Sequence, residues 1–292
     1  MLKHTPVAVG LAAALLALLA PLPPNPTRAF QAMENAAHAP LFAGLAWLAL
    51  RSWRAAQPRG GEREPLSRYL ALWMLITLVG ALTELAQRYT GRDASWADLA
   101  NDALGAALAL ISMAARAGQP ARMPVPARGL TTAALSLGLV LYAAPPLWSA
   151  AAYIQRWAQL PVLWQCCSPL RDYFVVPLIG PQYRGVVLEE PYADWRGYRT
   201  LVLELRNSSA TPITVTVRVH DALHDWQFID RYNQAFVLDA ARTTRVEIAL
   251  RDIAYAPRGR SMDLAHIAGV AAFRADGARA AEFRVEAIRL EP

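Results

Sequence analysis

Cysteine and charge are both scarce in this 292-residue chain, which has two cysteines and only 18% charged residues against 55% hydrophobic ones. Cys166 and Cys167 are adjacent. Neighbouring Cα atoms lie about 3.8 Å apart, below the usual disulfide range. The pair therefore reads either as two buried or interfacial thiols or as a redox-labile vicinal pair. No second cysteine pair and no histidine cluster lies near it, so neither a metal site nor a cofactor is expected. The net charge of +6 comes without a basic stripe or a nucleic-acid-binding motif, which removes nucleic acid from the expected partners. From residue 165 onward, 16 arginines balance 16 acids. The positive excess therefore belongs to the first part of the chain, in short loops beside apolar runs, as membrane topology produces.

Those runs cover about 6–22, 39–56, 66–86, 98–115 and 129–149. Each is about long enough for a ~30 Å hydrocarbon core at 1.5 Å per residue, although Arg51 and Arg54 break the second. The first run reads as a retained helix or as a cleaved signal peptide. "LLAPLPPNP" favours retention, because it is rich in proline and lacks a small-x-small cleavage site. With the N-terminus inside, Lys3, Arg51, Arg54, Arg59, Arg63, Arg68, Arg116, Arg122 and Arg128 flank the inner side. Only Arg28, Arg88 and Arg92 flank the outer side. Such asymmetry predicts a cytoplasmic N-terminus and, after five spans, an extracytoplasmic C-terminal part. Residues 1–150 are expected to form a five-helix transmembrane bundle. Residues 151–182 follow as an interfacial linker, with Trp148, Trp157 and Trp164 interleaved among polar residues at the bilayer surface or packed under the next domain.

One stretch stands out within this apolar half. "ELAQRYTGRDASWADLANDALG", residues 84–105, gathers Glu84, Arg88, Arg92, Asp93, Asp98 and Asp102 between two apolar runs. Glu84 and Gln87 end the third span, Asp98 and Asn101 begin the fourth, and His38, preceded by Glu34, begins the second. The orientation brings these residues to one outer face. Glu84, Gln87 and Arg88 are spaced i, i+3, i+4, and Asp98, Asn101 and Gly105 are spaced i, i+3, i+7, one helical face each. Gly105 and Ala109 form a small-xxx-small pair that admits a close neighbouring helix. Polar groups near a bilayer centre are costly unless paired or hydrated. Two readings follow. In one, Asp98 caps the fourth helix, Arg92 pairs with a carboxylate and Asn101 ties helices together. In the other, His38 and Glu84 form an acid/base or ligand-binding centre, with Asp98 orienting it.

"MENAAHAPLFAGLAWL" followed by "ELAQRYTGRDASWADLANDALGA" resembles the VanZ-like family of bacterial membrane proteins. The matching positions are His38, Glu84 and Gln87, Arg92, then Ser95, Asp98, Asn101 and Gly105, and the resemblance covers roughly residues 6–115. Two positions depart from it. Glu34 and Asn35 stand where an Asp-Lys pair is common, and Ala109 stands where glycine is usual. The resemblance implies a bacterial inner-membrane envelope protein, with membrane lipid and a cell-envelope saccharide or lipid-linked glycan as expected partners. It implies no reaction.

From about residue 183 the apolar period switches to two. "RTLVLELRN", "ITVTVRVHD", "NQAFVLD", "RTTRVEIAL", "IAGVAAFRA" and "EFRVEAIRL" read as strands of an antiparallel β-sandwich over 183–292. Their pattern resembles the galactose-binding-like jelly rolls found among carbohydrate-binding modules. The most distinctive stretch is the loop "HDALHDWQFIDRYN", residues 220–233. There Asp221, His224, Trp226, Asp230, Arg231 and Tyr232 suit a sugar site, with aromatic faces for the ring and charged groups for hydroxyls. In the alternative, Asp221 and Arg231 pair structurally while Trp226 and Tyr232 pack over the sandwich edge. His220 and His224 have a helical spacing in a segment that does not read as helical, so no metal is expected there. Arg260 and Asp263, in "APRGRSMDL", are placed to support the loop. The expected architecture is a transmembrane α-bundle followed by a periplasmic all-β jelly roll. Its leading functional reading is accessory recognition of envelope saccharide, and its rival is a membrane-embedded enzyme using His38 and Glu84.

Overall fold

The structure, a computed structural model, describes residues 5–19, 27–56, 65–90, 95–117, 125–179, 183–275 and 283–292. The chain divides into two compact units, Met1–Ser149 and Ala150–Pro292.

The first unit is helical: α1 (Thr5–Leu18), α2 (Arg28–Ala56), α3 (Leu66–Gln87), α4 (Trp96–Ala117) and most of α5 (Val125–Ala158). Among the described residues, Leu66–Gln87, Trp96–Arg116 and Gly129–Ala158 are long and apolar enough to cross a bilayer. Leu70, Met74, Leu78, Leu82 and Leu85 on α3 are exposed, as are Leu137, Val140, Leu141 and Leu147 on α5. Water does not favour apolar faces this broad, whereas lipid does. Three such helices suit a multi-pass membrane protein.

The helix boundaries differ from the sequence expectation in three places. At 14 residues, α1 reaches only about 21 Å, short of a ~30 Å core. Helix α2 starts at Arg28, well before the apolar run at 39, so His38 lies inside the helix and not at its beginning. "RAFQAMENAA" is rich in good helix formers but poor in hydropathy, and the Thr27 Oγ1 accepts the Phe30 N–H at 3.2 Å to cap its first turn. Finally, α5 runs past residue 149 into the second unit, with Pro145 and Pro146 inside it.

Helix α2 packs chiefly on α4, and α4 packs on α3. Gly105 permits the first contact, since a Cβ there would stand 2.0 Å from the Ala39 carbonyl oxygen. No rotamer relieves a backbone clash of that kind, so any side chain at 105 must part the two helices. Phe42, Ala46, Leu50, Leu72, Ile76, Ala106 and Leu110 fill the space between α2, α3 and α4.

The second unit is a sandwich of two antiparallel sheets, ordered β1-β9-β4-β7 and β2-β3-β8-β5-β6. Its strands are β1 (Val162–Gln165), β2 (Val175–Ile179), β3 (Arg184–Glu189), β4 (Thr200–Asn207), β5 (Ile213–Asp221), β6 (Tyr232–Leu238), β7 (Thr243–Ala249), β8 (Ile267–Arg274) and β9 (Phe283–Glu291). All six strands expected from alternation are present. Leu201, Leu203 and Leu205 of β4 meet Val215, Val217 and Val219 of β5 in one core, closed by the fully buried Trp195. β1, the short helix α6 (Pro169–Asp172) and β2 fall within 151–182, the stretch read as a linker. Trp164 is accordingly a core residue, whereas Trp157 remains exposed. Cys166 and Cys167 are joined in a vicinal disulfide in the turn after β1, with Cys167 in the left-handed region at φ 71°.

Candidate functional site

Three helices of the first unit supply one buried polar cluster. Ser95 precedes α4, and its Oγ accepts the Ala97 and Asp98 N–H groups at 3.2 and 3.3 Å. Ser95, not Asp98, therefore caps this helix. The Ser95 N–H in turn donates to Glu84 Oε2 at 2.7 Å, which sets the last turn of α3 against the positive end of α4. Gln87, one turn further on, donates through Nε2 to the Leu18 carbonyl at 2.9 Å and satisfies the end of α1. Asn101 Nδ2 donates to the Asn35 carbonyl at 3.2 Å, linking α4 to α2. With its amide nitrogen turned inward, Asn35 donates to Asp98 Oδ1 at 3.0 Å. Glu34 is half-buried on the same helix, and Arg92 lies outside the described residues.

His38 sits at the centre of this framework and is fully buried. Its Nδ1 lies 2.8 Å from Asp102 Oδ1. An ionised carboxylate only accepts hydrogen bonds, so with Asp102 ionised and the ring neutral, Nδ1 carries the proton and Nε2 bears the lone pair. A nitrogen of His38 and one carboxylate oxygen each from Glu84 and Asp102 lie within 4.8 Å of one another. His38 Nε2, Glu84 Oε1 and Asp102 Oδ2 are buried and have no hydrogen-bond partner among the described residues. An unsatisfied buried polar atom costs about 1–3 kcal/mol, so packing alone gives no reason for three in one cluster. Gly80, one turn before Glu84, makes room for the Asp102 carboxylate, whose Oδ2 would stand 2.5 Å from a Cβ at that position. His38 and Glu84 lie in one cluster, while Asp98 faces Asn35 and the partner of His38 Nδ1 is Asp102. Asp102 follows Asp98 by four residues on the same helical face, and that spacing was the available signal.

The loop after β5 is organised differently. Arg260 reaches in from the α7–β8 connection, α7 being Leu250–Ala254. Its Nη1 and Nη2 donate to Asp221 Oδ2 and Oδ1 at 2.6 and 2.8 Å, and its Nη2 also donates to Asp230 Oδ2 at 2.9 Å. The Asp263 N–H adds a bond to Asp221 Oδ2 at 2.7 Å. Asp221 thus pairs with Arg260 and not with Arg231, whose guanidinium lies 5.5 Å over the Phe228 ring. Hydrogen bonding by Arg260 holds the Asp230 carboxyl far below the usual carboxylate range. For Asp221, burial acts to raise the pKa, but Arg260 and the Asp263 N–H outweigh it and hold the carboxyl low. His224 Nδ1 contacts the Asp230 carbonyl at 3.0 Å. Tyr232 is only 5% exposed, packs in the core and donates its hydroxyl to Gln234 Oε1. Burial pushes that hydroxyl up to about 12. Of the loop's proposed sugar-facing aromatics, Trp226 is therefore the exposed one, at 66%. It adopts φ 68° and lies 5.4 Å from the His224 ring and 6.0 Å from the His220 ring. Burial, with Arg218 and His224 nearby, pushes His220 down to about 4, so this imidazole is uncharged at neutral pH.

No protein-family model and no curated protein matches the chain. The VanZ-like resemblance of the helical half therefore stands on its motif residues alone. Among solved structures, the sandwich is similar to the family 11 carbohydrate-binding module from Clostridium thermocellum in complex with a beta-1,3-1,4-mixed-linked tetrasaccharide. That match has 17% identity over 40% of this chain and 74% of that one, with a TM-score of 0.32. A second family 11 module, from a cellulosomal cellulase of the same organism, is 18% identical over 40% of this chain and 72% of that one, TM-score 0.29. An exo-beta-agarase is 12% identical over 40% of this chain and 19% of that one, TM-score 0.30. No residue role is transferred from any of them.

Proposed function

We propose that the helical unit carries a proton-transfer centre acting on the polar head of a lipid-linked cell-envelope substrate, as a VanZ-like member of the bacterial inner membrane. The observation that carries this reading is the set of atoms His38 Nε2, Glu84 Oε1 and Asp102 Oδ2 in one buried cluster, without hydrogen-bond partners among the described residues. Asp102 fixes the tautomer in which His38 Nε2 accepts a proton, the arrangement of an oriented general base. Glu84, held through Oε2 by the Ser95 N–H, keeps Oε1 available as the second proton-carrying group. Candidate membrane helices α3, α4 and α5 suit a lipid-borne substrate, and the charge asymmetry of the loops supports an outward-facing centre. The sandwich is then the extracytoplasmic module of the same protein. Recognition of saccharide by its 220–233 loop is less well supported, because Asp221, Asp230 and Tyr232 are committed to internal contacts.

The test uses the full chain in nanodiscs with a total lipid and lipid-linked glycan extract of a bacterial envelope, with products read by mass spectrometry. The native protein is expected to convert one component, and His38→Ala, folded to the same thermal stability, is expected to convert none. Equal conversion by the variant, or none by the native protein, contradicts the reading.

A further inference from the structure

Strand registers place several connections of the second unit at one end of the sandwich. Glu189 of β3 pairs with Gly269 of β8, Gly269 pairs with His220 of β5, and Val219 pairs with Tyr232 of β6. The end of β3, the start of β8, the end of β5 and the start of β6 therefore lie in a row. Residues 150–158, the last turns of α5, join the sandwich at this end. Arg156 Nη1 donates to the Glu190 carbonyl at 2.5 Å, and the Tyr153 hydroxyl donates to the Glu190 carboxylate. The loop 222–231 leaves from the same end. The 255–262 loop is fastened beside it through the Arg258 N–H to the Ile229 carbonyl, 2.9 Å.

The exposed large apolar residues follow this geometry. Leu223, Trp226, Phe228 and Ile229 all project from one ten-residue loop, and Ile154 and Trp157 project from the end of α5. Tyr255 adds a further aromatic from the neighbouring loop. A sandwich bathed only in water has no reason to gather such residues on one connection. The internal bonds of the loop also hold them outward. Asp230 receives Arg260 and the Asp225 N–H, and His224 contacts the Asp230 carbonyl, so these two polar side chains face the protein while Leu223, Trp226, Phe228 and Ile229 stay exposed.

We infer that this end of the sandwich rests on the bilayer surface, with loop 222–231 inserting its apolar tip among the lipids. The occupant follows from continuity. α5 is one of the membrane-crossing helices, its final turns belong to this end, and their exposed faces already carry a tryptophan and an isoleucine. Exposed Arg251 and Arg258 accompany exposed Asp225 and Asp252, a near balance of charge. Apolar insertion therefore leads the contact, and added salt is expected to change it little.

The test places a nitroxide on single cysteines, Leu223→Cys and Phe228→Cys, in the full chain reconstituted into phosphatidylethanolamine–phosphatidylglycerol vesicles. Val237→Cys is the control, because Val237 is equally exposed but lies toward the opposite end of β6. Collisions with oxygen and with a water-soluble nickel chelate report depth. At 223 and 228 the oxygen-to-chelate ratio is expected to exceed that at 237 several-fold, with little change at high salt. Equal, water-like ratios at all three sites overturn the inference. So does a water-like ratio at 228 with a label that is immobilised when soluble envelope saccharide is added, since the loop is then a sugar site.

Discussion

Replacing Arg260 with alanine is expected to lower the stability of the sandwich by about 3 kcal/mol, the lower end of what breaking a buried ion pair costs. The lower end applies because the Arg260 side chain is 25% exposed. Asp221 is fully buried and Asp230 nearly so, and each loses its principal cation when the guanidinium is removed. The pH dependence should change with it. Both carboxyls titrate below their ordinary values, so the unfolded chain binds their protons first as pH falls. Their stabilising effect is complete above pH ~4 and declines below it toward the folded-state values. The native protein should therefore lose stability steeply below that point, and Arg260→Ala should lose less, having little left to lose. Hydrogen exchange of the β5, β6 and β8 amides in the full chain, measured across pH 3 to 7 (a window about one unit either side of the ordinary carboxylate range and beyond), checks both statements. An unchanged exchange rate in the variant would show the pairs to be dispensable.

Converting Asp102 to asparagine is expected to reduce turnover about 100-fold or more, the range assigned to positioned acid–base groups, while leaving the bundle folded. The two side chains are nearly the same size, so the packing against Gly80 is retained. The loss comes from His38. An amide does not hold the proton on Nδ1 as a carboxylate does, so the lone pair is no longer fixed at Nε2. A purely structural role for Asp102 predicts the opposite pattern, a lowered melting temperature with turnover intact in whatever protein remains folded. Turnover and melting temperature measured on the same preparation separate the two.

The parts of this molecule that were legible in the sequence are those governed by local periodicity. Strands β4 to β9 were readable from their own residues: β5 alternates cleanly between buried and less buried positions, while β4, β8 and β9 add consecutive buried residues to the pattern. β2 was not, because "VVPLI" carries Pro177 and does not alternate. Proline is tolerated there because β2 is the edge of its sheet, a position that only the assembled topology reveals. The start of α2 was hidden for another reason. Hydropathy marks where a chain meets lipid, whereas helix formation follows propensity and capping, and "RAFQAMENAA" has the latter without the former. Within the cluster, spacing on α3 and α4 brought Glu84, Gln87 and Asn101 forward. Choosing between Asp98 and Asp102 as the partner of His38 depended on the pitch of α2 against α4, which Gly105 sets. Arg260 and Asp263 were readable as supports of the 220–233 loop, but the particular partners of Arg260, Asp221 and Asp230, lie 39 and 30 residues away, beyond any local pattern.

In the proposed centre, Asp102 holds His38 as a neutral base with its lone pair at Nε2. Solid-state ¹⁵N NMR of the histidine-labelled full chain in lipid bilayers tests it directly. The chain has five histidines, and His38→Gln assigns the relevant signal by its disappearance. The predicted spectrum shows His38 protonated at Nδ1 and bare at Nε2, and Asp102→Asn shifts that tautomer. A proton on Nε2 in the native protein, or a tautomer indifferent to Asp102→Asn, contradicts it.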